Sequence, residues 1–436
     1  MTMIYFFISI LLYIFSPNTY SWGYCIVCFI VFILSASNRL MKEMKNDLFS
    51  FNLLFTISFF FVNFVYPIFV YPIDATFSLF RYDFNESIIT QGTALALVAY
   101  TAYRYALNKF LPPYKTISND DINHYIYLSK KFISILIILT LSIFCIFIIQ
   151  GGLEYYSDMY SGDGSYSNGI IKYIITLLNP LLLLLCICAP YTNIFRMRFI
   201  YIFIISIMII LMFTGTRALS LSLGIVIAAQ YIKRYRVGAL STLIIILIGI
   251  FVLSYVGAMR DGTEVDLSEN KVWYEYGLDL IVNNRNLYVL YDEASKNGYS
   301  FGISMLAPLL QPIPFMQSFV SSMFNISPEI MKTSNITTSL EFGSDAQFGL
   351  GTNMVGDVYY AFGSVGVILF FYFLGYIIAV SRKNVDKKVT STVVYYILLS
   401  NAVFMCRASF FSMLTTIIWS IFLIKVLSPN KNLSIK

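Results

Sequence analysis

Charge is scarce in this sequence, and that scarcity excludes most soluble folds. Only 12% of the 436 residues are charged, whereas 58% are hydrophobic. Soluble domains carry about 25% charged residues, so this chain cannot cover a water-facing surface. Its cations are scattered, and no basic run is long enough to follow a nucleic-acid backbone. We therefore predict an all-α polytopic integral membrane protein that binds no nucleic acid.

The six cysteines do not form a pattern typical of a disulfide framework, because all of them lie inside apolar stretches. Cys25 and Cys28, like Cys186 and Cys188, are close enough in sequence to share a metal, but no His or further Cys accompanies them. We interpret the four cysteines of these two pairs as small buried hydrophobic residues. The sequence thus predicts neither a bound metal nor a cofactor.

Apolar segments long enough to cross a bilayer recur along the chain. Hydrocarbon about 30 Å thick requires about 20 mainly apolar residues per helix. The sequence contains about twelve segments that approach this length, namely 3–15, 21–36, 48–70, 88–107, 131–150, 170–189, 199–213, 217–232, 240–257, 358–380, 390–406 and 408–427. They divide the chain into a first set of spans within residues 1–256, a large loop at 257–356, and a last set of spans with a tail at 357–436.

The distribution of Lys and Arg predicts the orientation of these spans. Alternate connections are strongly basic, such as those that contain Arg39 and Arg382, while the short connections between them contain few cations. Positive residues accumulate in short cytoplasmic loops. Both termini are therefore predicted to be cytoplasmic and the loop 257–356 to lie outside. Its apolar part, Ile303–Phe324, is expected to lie on the membrane surface.

Four of the arginines predicted on the outer side are candidate site residues: Arg217, Arg260, Arg285 and Arg407. Arg217 and Arg407 interrupt apolar runs, and an ionisable residue at membrane depth is a functional candidate by default. They could instead extend to lipid headgroups, and Arg260 could be an interfacial anchor. Arg285 could pair with Asp292 on a solvated helix face. Together the four would suit a ligand with several negative charges, such as pyrophosphate, because Arg contacts phosphate in bidentate fashion.

The end of the loop contains the carboxylates nearest to the next span. Asp345 and Asp357 lie among glycines, which permit close backbone approach. A carboxylate at an apolar boundary can act as general base for an alcohol, so both are candidate catalytic residues together with Arg217. Helix capping by Asn353 and Asp357 is the alternative. The single histidine, His124, lies in a connection predicted to be cytoplasmic, which excludes a His base on the outer face.

Three motifs point to a family. Gly215–Arg217 opens a span with the pattern G-[ST]-R, Asn284–Tyr299 combines an Arg, a hydrophobic helix and Gly-Tyr, and Gly351–Gly366 has the pattern G-x-N…Y-x-x-F-G-x-x-G. With the topology of the whole chain, these motifs resemble the O-antigen polymerases, the Wzy-type oligosaccharide repeat-unit polymerases. The spacing from Arg285 to Gly298 departs from the Arg-to-Gly spacing of some members.

This resemblance implies a GT-C-like architecture in the bacterial inner membrane and glycosyl transfer at the periplasmic face. The growing glycan would move from undecaprenyl pyrophosphate to a new lipid-linked repeat unit, with a chain-length regulator as a further partner. The four arginines, Tyr288 and Asn353 would bind the substrate. Arg217 would also stabilise the leaving pyrophosphate, which is electrostatic stabilisation of developing charge.

Two other functions remain open. O-antigen ligases resemble this chain in topology and in their outward arginines, but they rely on a His in the large loop, and this loop has none. A repeat-unit flippase, which is a transporter, would also have about twelve spans. Flippases lack so long a loop and tend to place ionisable groups within their spans. The polymerase is therefore the favoured interpretation.

Overall fold

The computed structural model describes residues 2–74, 84–111, 129–161, 169–213, 217–235, 278–343, 346 and 349–427. Within these ranges the chain is helical and has no β-strand. The helices are α1 (Thr2–Ile14), α2 (Trp22–Asn46), α3 (Phe51–Asn63), α4 (Ser87–Phe110), α5 (Lys130–Ile149), α6 (Gly152–Ser161), α7 (Gly169–Cys188), α8 (Ile194–Phe213), α9 (Arg217–Tyr235), α10 (Leu278–Asn297), α11 (Leu306–Leu310), α12 (Met316–Phe324), α13 (Thr333–Phe342), α14 (Met354–Lys383), α15 (Val389–Ser400) and α16 (Leu414–Leu427).

Each predicted span within the described ranges coincides with a helix, although the lengths differ. Among these residues α2, α5, α7, α8 and α14 are long and apolar enough to cross a membrane, whereas α1, α3, α15 and α16 are apolar but shorter. The helical content and the apolar lengths support a polytopic membrane protein. The count of about twelve spans and the GT-C-like architecture stay predictions, and the predicted span 240–257 lies outside the described residues.

Helix α4 lies at the centre of the bundle. It is buried along nearly its whole length, and α1, α2, α10 and α14 pack around it. A Cβ atom on Gly375 of α14 would lie 2.3 Å from the carbonyl oxygen of Tyr103. The two backbones therefore touch at a glycine, which is a common way for membrane helices to approach closely.

The peripheral helices expose large apolar side chains on their outer faces, such as Phe7 on α1, Ile138 on α5 and Ile202 on α8. Extensive apolar surface of this kind is rare on soluble proteins and suits contact with lipid. Cys145 of α5 is also exposed. The interpretation of Cys25, Cys28, Cys186 and Cys188 as buried hydrophobic residues is confirmed.

A buried ionic network joins α2, α4 and α14 at one end of the bundle. Glu43 accepts hydrogen bonds from Arg39 (3.1 Å), from Arg382 (2.6 Å) and from the Asn52 amide (2.6 Å). Arg104 is almost fully buried and donates to the Asn52 side-chain oxygen at 3.1 Å. The three arginines come from connections that the charge pattern assigns to the same side, and the structure brings them into one cluster. That this side is cytoplasmic stays a prediction.

The large loop is integrated into the bundle. Its helix α10 packs against α3, α4 and α14, and most of its side chains are buried. The following helices α11 and α12 instead expose apolar residues, including Phe315, Phe319 and Met323. This exposure is compatible with the predicted position of Ile303–Phe324 on the membrane surface.

Candidate active site

Asn353 joins the start of α14 to α10 and α3, at the end of the bundle opposite the Glu43 network. Its side-chain oxygen accepts hydrogen bonds from the N–H groups of Val355 and Gly356, so it is the N-cap of α14. Its amide nitrogen donates to the Asn283 carbonyl at 3.2 Å and to the Asn63 side chain at 3.0 Å. Capping by Asn353 is therefore confirmed, and with 0% exposure the side chain positions two other helices.

Aromatic rings hold the two long family motifs together. The rings of Tyr291 and Tyr359 stack with their centroids 4.4 Å apart, and Tyr299 meets Tyr359 edge-on at 5.7 Å. Gly363 interrupts α14 with a positive φ of 67°, and a Cβ atom there would lie 3.1 Å from the Tyr299 ring. The motif glycine therefore permits both a kink and a close ring contact that other residues would disfavour.

Arg285 lies inside the bundle. Its guanidinium donates to the Glu341 carboxylate at 2.6 Å, and the arginine is only 6% exposed. Its guanidinium carbon also lies 5.9 Å from the centre of the Phe84 ring, within the range of a cation–π contact. Asp292 instead pairs with Lys296 at 2.5 Å. The interpretation of Arg285 and Asp292 as a pair on a solvated helix face is therefore wrong.

The polar run Asn283–Asn286 around Arg285 contains a site residue that sequence reasoning missed. Asn284 is 0% exposed, and neither its amide nitrogen nor its amide oxygen has a hydrogen-bond partner in the described part of the chain. Buried polar groups are nearly always hydrogen-bonded, so such a side chain requires an explanation. The signal was visible in the sequence, because the asparagines and Arg285 interrupt Leu280–Tyr291, a stretch of the helix that is otherwise apolar.

Tyr288, a predicted substrate contact, lies in the core. Its side chain is fully buried, and a Cβ atom on Gly92 of α4 would lie 2.9 Å from its ring. The tyrosine therefore fills the space that Gly92 leaves between α10 and α4. Its ring is a packing group, while its buried hydroxyl has no hydrogen-bond partner in the part of the chain that the structure describes.

Asp357 connects three segments of the chain. One carboxylate oxygen accepts a hydrogen bond from the Thr333 hydroxyl at 2.6 Å. The other accepts from the Ser409 hydroxyl at 3.0 Å and from the Phe410 N–H at 2.9 Å. The side chain is 0% exposed. Asp357 thus ties the start of α13 and the chain beyond Arg407 to α14.

Lys332 adds a positive charge near this carboxylate. Its pKa is lowered by desolvation, and the attraction of Asp357 opposes that shift. An ammonium beside a buried carboxylate helps to keep the carboxylate charged.

Replacing Asp357 by Asn is expected to lower the free energy of unfolding by about 1–3 kcal/mol. The amide NH2 group cannot accept the hydrogen bonds that a carboxylate oxygen accepts, so buried donors lose their partner. Unfolding of the purified protein in detergent measures this change. Asp386→Asn is the matched control, because Asp386 pairs with Lys233 where both side chains are partly exposed. Equal stability of Asp357→Asn and the wild type would contradict this role.

Arg407 lies in a break between two helices. α15 ends at Ser400 and α16 begins at Leu414, with a short 3-10 turn at Met405–Arg407 between them. The predicted spans 390–406 and 408–427 are therefore shorter helices on either side of this break. The Arg407 carbonyl accepts a hydrogen bond from the Thr352 N–H at 3.4 Å, which places the break beside the start of α14.

The first turns of α9 also contact this break. α9 begins at Arg217, and the Ser222 hydroxyl donates to the Asn401 side chain at 3.2 Å. The chain segments of Arg217 and Arg407 are thus brought together, as are those of Arg407, Asp357 and Asn353. The side chain of Arg217 lies outside the described residues, as do Arg260, Asp345 and His124.

Together, these features define a helical membrane protein whose large loop is packed into one end of the bundle, beside a helix break. The chain belongs to the family of the O-antigen polysaccharide polymerase Wzy, whose family model matches residues 1–428. The resemblance noted in the sequence is thereby confirmed, and membership implies a polymerase role in O-antigen polysaccharide biosynthesis. Neither the curated proteins nor the solved structures gave a match to this chain.

Proposed function

We propose that this protein elongates O-antigen at the periplasmic face of the bacterial inner membrane. The growing glycan moves from undecaprenyl pyrophosphate to a new lipid-linked repeat unit. Family membership supports the polymerase role. One observation supports this location for the reaction. α10, the start of α14 and the break that contains Arg407 meet at the end of the bundle opposite the Glu43 network.

The reaction in this proposal is a substitution at the anomeric carbon of the growing glycan. A hydroxyl oxygen of the new unit forms a bond to that carbon, and the bond from the carbon to the pyrophosphate oxygen breaks. The pyrophosphate leaves with the bonding electrons, and the hydroxyl proton passes to a carboxylate. The step needs no metal to compensate the charge of the leaving group, because arginines can neutralise the negative charge that develops on the pyrophosphate.

Arg217, Arg260 and Arg407 are the arginines that we assign to the pyrophosphate. Arg217 and Arg407 belong to chain segments that the structure brings together, while Arg260 is assigned from the sequence alone. Arg285 has a buried carboxylate partner, and we assign it to holding α10 against α13. Asn284, next to Arg285, is a buried polar side chain of α10 that has no hydrogen-bond partner among the described residues, and we assign to it a hydrogen bond with the substrate.

Asp345 and Asp357 have different roles in this proposal. Asp357 accepts three hydrogen bonds from protein groups and is fully buried. Such a carboxylate is suited to positioning the break and α13 around the substrate. Asp345 is then the first choice for the general base, because it lies in the glycine-containing segment that leads to α14.

Deletion of the gene tests the function. Gel analysis of the lipopolysaccharide should show chains that are a single repeat unit long, and a plasmid with the wild-type gene should restore long chains. No repeat unit at all on the core would instead indicate a ligase. Accumulation of lipid-linked units on the cytoplasmic side would indicate a flippase. Either of these two results would contradict the proposal.

A further inference from the structure

A polar cavity of about 210 Å³ lies between α7, α9 and the break between α15 and α16. Among the described residues that line it, none is ionisable. Its lining includes Asn179 of α7, Ser222 of α9, Asn401 and Ser412 at the break, Thr415 of α16, and Gln311 of the large loop. Neither Arg285 and Asp357 nor their hydrogen-bond partners line it.

Several polar atoms around this cavity lack partners. The side-chain oxygens of Asn179, Ser412 and Thr415 are buried and have no hydrogen-bond partner in the ranges that the structure describes. Thr415 is only 6% exposed. In addition, Pro180 has no N–H and cannot donate the helical hydrogen bond to the Thr176 carbonyl in the cavity wall. So many unsatisfied groups around one cavity indicate a bound polar molecule.

The position of the cavity relates it to the proposed site. Its wall in α9 belongs to the first turns after Arg217, and Asn401 and Ser412 flank the break that contains Arg407. Irregular backbone at membrane depth is tolerated where it lines a cavity or is buried in protein. The large loop is anchored nearby, since the Phe315 N–H donates to the Tyr173 hydroxyl at 3.1 Å.

The residues that line the cavity indicate which part of a lipid-linked glycan it binds. Hydroxyl and amide side chains both donate and accept hydrogen bonds, as sugar hydroxyls do. A pyrophosphate would require cations in the wall, and a polyprenyl tail would leave the polar atoms unsatisfied. The volume is sufficient for one sugar ring.

We propose that this cavity is a subsite for one monosaccharide residue of the lipid-linked glycan, beside the arginines that bind its pyrophosphate. The inference rests on the proposed function and adds to it the place and chemistry of sugar recognition. Asn179, Ser412 and Thr415 donate to or accept from the sugar hydroxyls. Gln311 brings the large loop to the same ring.

Two kinds of variant test the subsite: substitutions that remove polar atoms from the wall, and one substitution that fills the cavity. Thr415→Val and Asn179→Leu each remove hydrogen-bonding atoms from the wall, and Ala218→Leu reduces the cavity volume. Ser420→Ala is the matched control, because Ser420 lies on the same helix, is fully buried and has a hydroxyl without a described partner, but does not line the cavity. The probe is the undecaprenyl-pyrophosphate-linked repeat unit extracted from the deletion strain.

With purified protein, Thr415→Val and Asn179→Leu should each raise the KM for this probe by about 3- to 10-fold, with kcat changed less. Ala218→Leu should raise it as well, and Ser420→Ala should leave it unchanged. Thermal unfolding of each variant separates these effects from loss of folding. Wild-type KM in all three cavity variants would overturn the subsite, as would an equal rise in Ser420→Ala. Failure of the wild-type protein to elongate the probe would overturn the proposed function itself.

Discussion

Arg217→Ala is expected to slow chain elongation by about 10²- to 10³-fold, the loss typical when one preorganised charge stabiliser is removed. The arginine begins α9, beside a break that contains a second arginine. Without its guanidinium, the negative charge on the leaving pyrophosphate would develop with less compensation. Elongation of the extracted lipid-linked unit by purified protein measures the effect.

Two further variants show whether the loss of elongation is caused by the missing guanidinium of Arg217. Arg217→Lys should recover only part of the rate, because an ammonium cannot make the bidentate contact of a guanidinium. Arg198→Ala should elongate normally, since Arg198 is an exposed cation near the start of α8, in a connection predicted to be cytoplasmic. Full elongation by Arg217→Ala at the normal protein level would show that Arg217 does not bind the pyrophosphate.

Arg285→Ala is expected to lower the free energy of unfolding by about 3–5 kcal/mol, because the buried Glu341 carboxylate loses the opposite charge that Arg285 supplies. The Glu341 side chain is 1% exposed and receives the Arg285 guanidinium at 2.6 Å. Less folded protein should reach the membrane, and elongation should fall with it. Denaturation of the purified variant in detergent provides the measurement.

The control for Arg285 is another ion pair of the same helix. Lys296→Met removes a partner from the Asp292 pair, but the lysine side chain is 57% exposed, so the change should remain within about 1 kcal/mol. The double variant Arg285→Met with Glu341→Gln should recover most of the stability. Recovery of elongation as well would indicate that Arg285 acts by positioning α10. An Arg285→Ala protein as stable as the wild type would contradict this role.

Much of the local structure could be predicted from the sequence. Apolar runs separated by polar connections predicted each helix of the described spans, because a helix in lipid satisfies its backbone hydrogen bonds within one segment. The N-cap at Asn353 was also predictable, since the cap bonds to residues two and three positions away. The three motifs, together with the topology of the whole chain, indicated the family that the family model confirms.

The partners of the charged residues could not be predicted in the same way. Arg285 pairs with a carboxylate 56 positions away, and Asp357 accepts hydrogen bonds from residues 24 and 52 positions away in opposite directions along the chain. Sequence spacing offered Asp292 as the partner of Arg285. Because α10 is buried between α3, α4 and α14, Arg285 does not lie on a solvated face and does not pair with Asp292.

The sequence by itself determined that this is a helical membrane protein, where its helices lie and to which family it belongs, because hydrophobic length and short motifs are properties of contiguous residues. Only the tertiary structure decided that the loop helix α10 is buried and that Asp357 joins three segments. It also decided that a neutral polar cavity lies beside the segments of Arg217 and Arg407. These features depend on side chains that meet through packing of distant helices, and no local pattern encodes them.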